Sequence, residues 1–145
     1  MSTIQASTTI SQPVERVFEF IWNPQNQRLW QPETIENLPL ASEPGQAIGK
    51  SRTKVRGWAG LTMEVVEETK EFEVNRRVTA KTSEVHGWIT SQNQWDFEPA
   101  AGGTQVSVRH EVELHGWLRL LGPLFLPAAQ RKVENDLRRL KKILE

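Results

Sequence analysis

The chain has 145 residues, with 18 Lys and Arg against 18 Asp and Glu, and neither cysteine nor tyrosine. Disulfides, thiolate nucleophiles, cysteine-based metal sites and phenolic acid–base chemistry are thereby excluded. The zero net charge argues against a nucleic acid or an anionic membrane as dominant partner, and the length suits one domain spanning 1–145.

The opening "MSTIQASTTI" has no basic segment followed by an apolar core, so no signal peptide is expected. Together with the missing cysteines, this suits a cytoplasmic setting. No run approaches the roughly 18 apolar residues of a membrane span, so stable membrane insertion is not expected. Residues 3 to 11 alternate and are rich in Thr and Ile, which predicts a strand. In "SQPVERVFEFIWN", Ser11 or Gln12 is placed to cap a helix with Pro13 in its first turn. Val14, Val17, Phe18 and Ile21 recur at helical spacing and predict a helix over 13–22. Asn23-Pro24 ends it, and "PQNQRLW" has room for one more short helical piece. Trp30 in this polar, proline-fenced segment is expected to anchor the connector to the core or to wall a cavity mouth.

Six further strands are predicted, within "ETIENLPLASE", "IGKSRTKVRGW", "LTMEVVEETKEF", "RRVTAKTSE", "HGWITSQNQWDFEP" and "GTQVSVRHEVEL". Pro44-Gly45 and "AAGG" mark turns, and the short connections imply an antiparallel meander. From Trp117 to Glu145 the apolar period changes to three and four, predicting one long helix with a break at "GPLFLP". A sheet of about seven strands is much wider than one helix of about 10 Å. If the sheet curls around that helix, space is left between them.

The run "TTISQPVERVFEFIWNPQNQRLWQP" resembles the opening of the START-like, or SRPBCC, superfamily, in Ile10, Pro13, Val17-Phe18, Asn23-Pro24 and Trp30. "FEPAAGGTQVSV" resembles its penultimate hairpin and "AAQRKVENDLRRLKKILE" its closing helix. That superfamily includes polyketide cyclase/dehydrase-like, lipid-transfer and Bet v 1-type proteins. The resemblance implies an α+β helix-grip fold, a curved antiparallel sheet around a long C-terminal helix over a hydrophobic cavity. It implies an apolar or amphipathic small molecule (a lipid, sterol or polyketide) as partner. It does not imply catalysis, because carriers, sensors and cyclases share the fold.

Strand alternation assigns the faces. Val106, Val108, His110, Val112 and Leu114 share one face of the last strand, and Ile89, Ser91, Asn93, Trp95 and Phe97 one face of the strand before it. Both sets are expected to point inward, as are Met63 and Val65. His110, Asn93 and Ser91 are then polar groups in an apolar chamber, the pattern of a ligand pocket with a few orienting anchors. They can equally satisfy one another and do nothing more. Met63, Val65, Trp95, Val108, Phe125 and Trp30 complete the expected ligand-binding set. His110 is the catalytic candidate if the protein is an enzyme, since imidazole serves acid–base chemistry near neutral pH; whether it is one stays open.

His86, His110 and His115 lack metal-ligand spacing, so no metal is expected. No nucleophile elbow, dinucleotide fingerprint or phosphate loop occurs, and no cofactor is expected. The carboxylates of "EVVEETKEFE" are expected to be solvated. Trp58, Trp88 and Trp117 each follow a glycine, and simple edge packing is expected of them. Protein partners are not specified by these residues.

Overall fold

In the computed structural model, residues 2–32, 34–39, 50–56 and 62–145 are described. Pro44, Gly45 and Trp58 lie outside the described residues. Seven strands, β1 (Ser2–Ile10), β2 (Thr34–Pro39), β3 (Lys50–Arg56), β4 (Thr62–Glu73), β5 (Arg77–Glu84), β6 (Ile89–Ala100) and β7 (Gly103–Leu114), form one antiparallel sheet. Their order is β1-β7-β6-β5-β4-β3-β2. The meander therefore runs from β2 to β7, and β1 returns beside β7 to make the long-range pair. Between β1 and β2 lie α1 (Val14–Trp22), a 3-10 turn at Pro24–Asn26 and α2 (Gln27–Trp30). After β7, a 3-10 segment at Gly116–Leu121 leads into α3 (Gly122–Leu144), which packs chiefly along β1. This is the α+β helix-grip architecture.

Two local expectations need correction. Neither Ser11 nor Gln12 caps α1: Pro13 holds the cap position with φ −65° and ψ 153°, and no side chain bonds the free amides. Gln12 instead donates from Nε2 to the Leu144 carbonyl at 2.8 Å, tying this corner to the end of α3. The final helix does not break inside "GPLFLP"; its irregularity precedes that run, where 3-10 gives way to α at Gly122. Pro123 falls in the first turn, where no backbone donor is needed. Pro127 lies within the helix, which continues through the lost bond.

The hairpins need special backbone at few places. Asn75 turns β4 into β5 with φ 64°, and Gly102 turns β6 into β7 with φ 81°. A Cβ at Gly103 would collide with the Ile10 carbonyl, so the strand crossing here requires glycine.

The core fills one end of the grip. Ile10, Val17, Phe18, Ile21, Val78, Phe97, Val106 and Leu140 are all buried there. Phe18 stacks on Trp22 at 5.2 Å and meets Phe97 and Phe72 edge-on at 5.2 and 5.5 Å. Phe72 reaches this cluster through a bulge between Thr69 and Glu71, which resets the alternation so that Thr69 and Phe72 share the inner face. Trp30, only 3% exposed, closes the same cluster, its ring 5.7 Å from Trp95 in an edge contact.

Candidate functional site

Register places the inward side chains in cross-strand rows. One row runs Ile4, His110, Asn93, Ala80 and Thr69; the next runs Ser2, Val112, Ser91, Thr82 and Glu67. Beyond them stand Glu84 opposite Val65 and Met63 opposite Val55. The expected inward faces of β6 and β7 are those observed, and Met63 and Val65 stand at inward positions of β4.

Packing changes along these rows. Phe97, Val106 and Val108 are fully buried, but Met63, Val65, Thr69, Thr82, Ser91, Asn93, Trp95 and His110 keep accessible surface although they point inward. The helix shows the same gradient. Leu137, Leu140 and Leu144 are buried, whereas Phe125, Ala129 and Val133, on the same stripe, are half-buried. Sheet and helix thus meet tightly at one end and less tightly at the other, although Ile4, Ala80 and Val112 are buried in the same rows. One long helix is much narrower than the concave face of seven strands.

Ser91, Asn93 and His110 come together here. His110 Nδ1 lies 2.6 Å from Asn93 Oδ1, Ser91 Oγ donates to the same oxygen at 2.5 Å, and Asn93 Nδ2 donates to Thr82 Oγ1 at 2.7 Å. The Asn93 oxygen can only accept, so His110 carries its proton on Nδ1 and keeps the Nε2 lone pair. Burial, aided by the positive charge of Lys132, lowers the His110 pKa from 6.5 to about 4. At neutral pH the imidazole is therefore uncharged. Its Nε2 has no described partner, yet it is not sealed: Trp30 Nε1 is the sole buried, unpartnered side-chain nitrogen or oxygen among the described residues. The arrangement offers a ligand one acceptor of fixed orientation, with the Asn93 oxygen occupied by Ser91 and His110 and acting to orient it.

The remaining expected residues are spread along the gradient. Trp95 stands between Trp22 and Trp30, at 5.7 Å from each, on the boundary between core and open end. Val108 is buried beside it, opposite Trp95 in register. Phe125 lies in the first turns of α3. Trp30 is a core residue, its carbonyl accepting from Arg139 Nε at 3.1 Å while Arg139 Nη2 meets buried Asp136 at 2.6 Å. Trp88 and Trp117 pack edge to face at 5.7 Å and remain 41% and 55% exposed.

Glu67 was missed from the sequence. The carboxylates of its strand were expected to be solvated, but register points Glu67 inward, opposite Thr82. Desolvation raises its pKa above the usual carboxylate range. Its side chain is nevertheless exposed, as expected of a solvated carboxylate. Extending the Met63–Val65 alternation by two residues would have found it. Glu84 is also inward and only 6% exposed, but its Oε2 accepts from the His86 and Trp88 amides at 2.9 and 3.4 Å, which fixes the β5–β6 turn.

Among the described residues no group of three or more His, Asp or Glu stands together to hold a metal ion. No described helix is long and apolar enough to cross a membrane.

The family model described as polyketide cyclase/dehydrase and lipid transport matches residues 1–145. Among curated proteins, none matches. The solved structure of TTHA0849 from Thermus thermophilus is 23% identical, with 97% of this chain and 95% of that chain covered at a TM-score of 0.80. The Zhui aromatase/cyclase from a Streptomyces species is 15% identical over 99% of this chain and 93% of its own, with a TM-score of 0.83. Ara h 8.0201 is 13% identical over 99% and 97%, with a TM-score of 0.75. At these identities the likeness is one of fold.

Proposed function

The chain belongs to the polyketide cyclase/dehydrase and lipid-transport family, and from that premise we propose that it binds an apolar or amphipathic small molecule between the concave sheet and α3. The observation that carries this reading is the packing gradient, in which inward side chains of β4 to β7 keep accessible surface at one end of the grip. Met63, Val65, Trp95 and Phe125 would supply apolar wall, worth about 25 cal/mol per Å² removed from water. His110 Nε2 would accept a hydrogen bond from a ligand hydroxyl and set its orientation. Ser91 and Asn93 act through His110 by holding its tautomer.

The test uses 1-naphthalenemethanol, a neutral aromatic alcohol, followed by its fluorescence and by NMR shifts of the protein. Saturable binding that perturbs Trp95 and His110 is expected. Val65→Trp, which fills the space, should abolish it while the protein stays folded. Absence of saturable binding to the unaltered protein, with this probe and with neutral lipids alike, overturns the reading.

One observation favours an enzymatic reading: a neutral imidazole with a held tautomer and a free Nε2 is arranged as a base. Its strength argues the other way, because a pKa lowered to about 4 is far from the operating range of an efficient base at neutral pH. Ligand binding is therefore the stronger reading. His110→Ala separates the two: an enzyme loses turnover and keeps its ligand, whereas a carrier changes affinity only.

A further inference from the structure

Large apolar side chains that the fold leaves exposed gather in one place among the described residues. Leu29, Val74 and Ile143 fall on three different parts of the chain, but Trp88, Trp117, Leu120 and Leu124 lie on two adjoining pieces, Leu120 being 83% and Leu124 60% exposed. Trp88, in the turn after β5, meets Trp117 edge-on, and its carbonyl accepts from the His115 amide at 2.8 Å. The turn is thereby held beside the 3-10 segment. Residues three apart eclipse one another in such a segment, so Leu120 stands over Trp117, and Leu124 follows about one α-turn later. Ala128 and Arg131 are exposed along the same line of α3. On the other side Leu118, Leu121 and Phe125 are half-buried. The run 117–128 is therefore apolar on both sides, with Arg119 its one charged residue. Further along α3 the ordinary pattern returns: Glu134, Arg138 and Lys142 are exposed and Leu137, Leu140 and Leu144 buried.

A contiguous apolar patch on the outside of a protein marks a contact surface. The charge around this one indicates the partner. The chain as a whole is neutral, but residues 114–133 hold no Asp or Glu, and Arg119 and Arg131 are both exposed there. The acids that bound this stretch are turned elsewhere: Glu113 is at an outward position of the sheet, opposite Thr90, and Glu134 accepts from Gln130. Apart from Arg119 and the indole N–H of Trp117, no side chain of 117–128 can form a hydrogen bond. A protein partner asks for about one hydrogen bond per 100–200 Å² and a polar rim, whereas a bilayer surface asks only for apolar side chains flanked by cations. Tryptophan, an apolar ring with one polar N–H, suits the boundary between hydrocarbon and water. We infer that Trp88, Trp117, Leu120 and Leu124 form a docking face for a lipid bilayer bearing anionic head groups, the apolar side chains entering the head-group boundary and Arg119 and Arg131 meeting the lipid phosphates. The docking is peripheral, since no described helix is long and apolar enough to cross a membrane. This goes beyond the ligand-binding reading and does not rest on it.

Co-sedimentation of the whole chain with two kinds of vesicle tests it: phosphatidylcholine alone, and an equal mixture of phosphatidylcholine and phosphatidylserine. The mixed vesicles are expected to bind about tenfold more tightly, the order of two basic residues near an anionic surface, and salt should narrow the difference. Leu120→Gln combined with Leu124→Gln should weaken binding to the mixed vesicles about tenfold or more. Both side chains are exposed, so urea unfolding should be unchanged in that variant. Val74→Gln, which alters an exposed apolar side chain at the other end of β5, should leave vesicle binding as it was. Light scattering should show a monomer in solution. No binding of the unaltered protein, equal binding to the two kinds of vesicle, or binding that survives the double substitution overturns the inference. A dimer that the double substitution dissociates overturns it too, because a second copy would then cover this face.

Discussion

His110 makes folding stability depend on pH in a direction that can be worked out in advance. In the unfolded chain its imidazole takes a proton below about 6.5, the ordinary histidine value. In the folded protein burial delays protonation to about pH 4. Between these values the unfolded state binds more protons, so stability rises with pH across the window and falls as pH drops through it. The full shift corresponds to about 3 kcal/mol, and lowering pH from 7 to 5 should cost about 2 kcal/mol from this residue. Glu67 works in the opposite sense: its raised pKa makes the folded state bind the extra proton, so its contribution is lost as pH rises. The measurement must therefore be differential. Urea unfolding of the protein and of His110→Gln, at pH 5 and at pH 7, cancels Glu67 and every other group common to both. The glutamine amide keeps a donor for Asn93 and removes the titration. The pH dependence should be smaller by about 2 kcal/mol in the variant's favour at pH 5. NMR of the imidazole provides the independent check, and should show the Nδ1–H tautomer across neutral pH. Identical pH slopes for the two proteins, or an imidazole titrating near 6.5, would refute both the burial and the hydrogen-bond assignment.

Two further outcomes follow from the packing. Trp30→Ala should lower unfolding stability by roughly 3–5 kcal/mol in urea titration, since it empties a site between Trp95, the core cluster and the Arg139 contact. Trp30→Phe should cost clearly less, because it also removes the buried, unpartnered Nε1 donor; equal losses would mean that this N–H is satisfied. Gly103→Ala should destabilise more than a Gly→Ala change at the exposed, positive-φ Gly87, because its Cβ would run into the Ile10 backbone and one at Gly87 meets nothing within 4 Å. The same thermal shift for both would show that β7 can move away from Ile10.

The fold was legible because each element carries its own period. Val17, Phe18 and Ile21 recur at helical spacing, β6 and β7 alternate strictly, and Pro24 and the glycines around 102 mark the joints. The misplaced features were those in which backbone geometry depends on neighbours. Pro123 and Pro127 read as a break, yet one occupies a turn that needs no donor and the other sits in a helix held by the buried face of Leu137, Leu140 and Leu144. Likewise the cap at α1 fell to Pro13, because Gln12 is drawn to the Leu144 carbonyl. That contact joins residues 132 apart, and no local pattern reports it.

The site was legible to the extent that alternation decides faces. It brought out His110, Asn93 and Ser91 together, but not the direction of their hydrogen bonds, which requires the Thr82 hydroxyl one strand further on. It passed over Glu67 because a strand with charges on both faces reads as a surface strand, and only pairing through β5 fixes which charges turn inward. This difference bears on chemistry. With His110, Asn93 and Ser91 alone, the polar part of the open end is a neutral acceptor suited to a hydroxyl. With Glu67 added, the inner face carries two separate polar points three strands apart, one neutral and one acidic. Strands spaced about 4.8 Å apart place them on the order of 14 Å from each other along the sheet. A single small head group therefore cannot engage both.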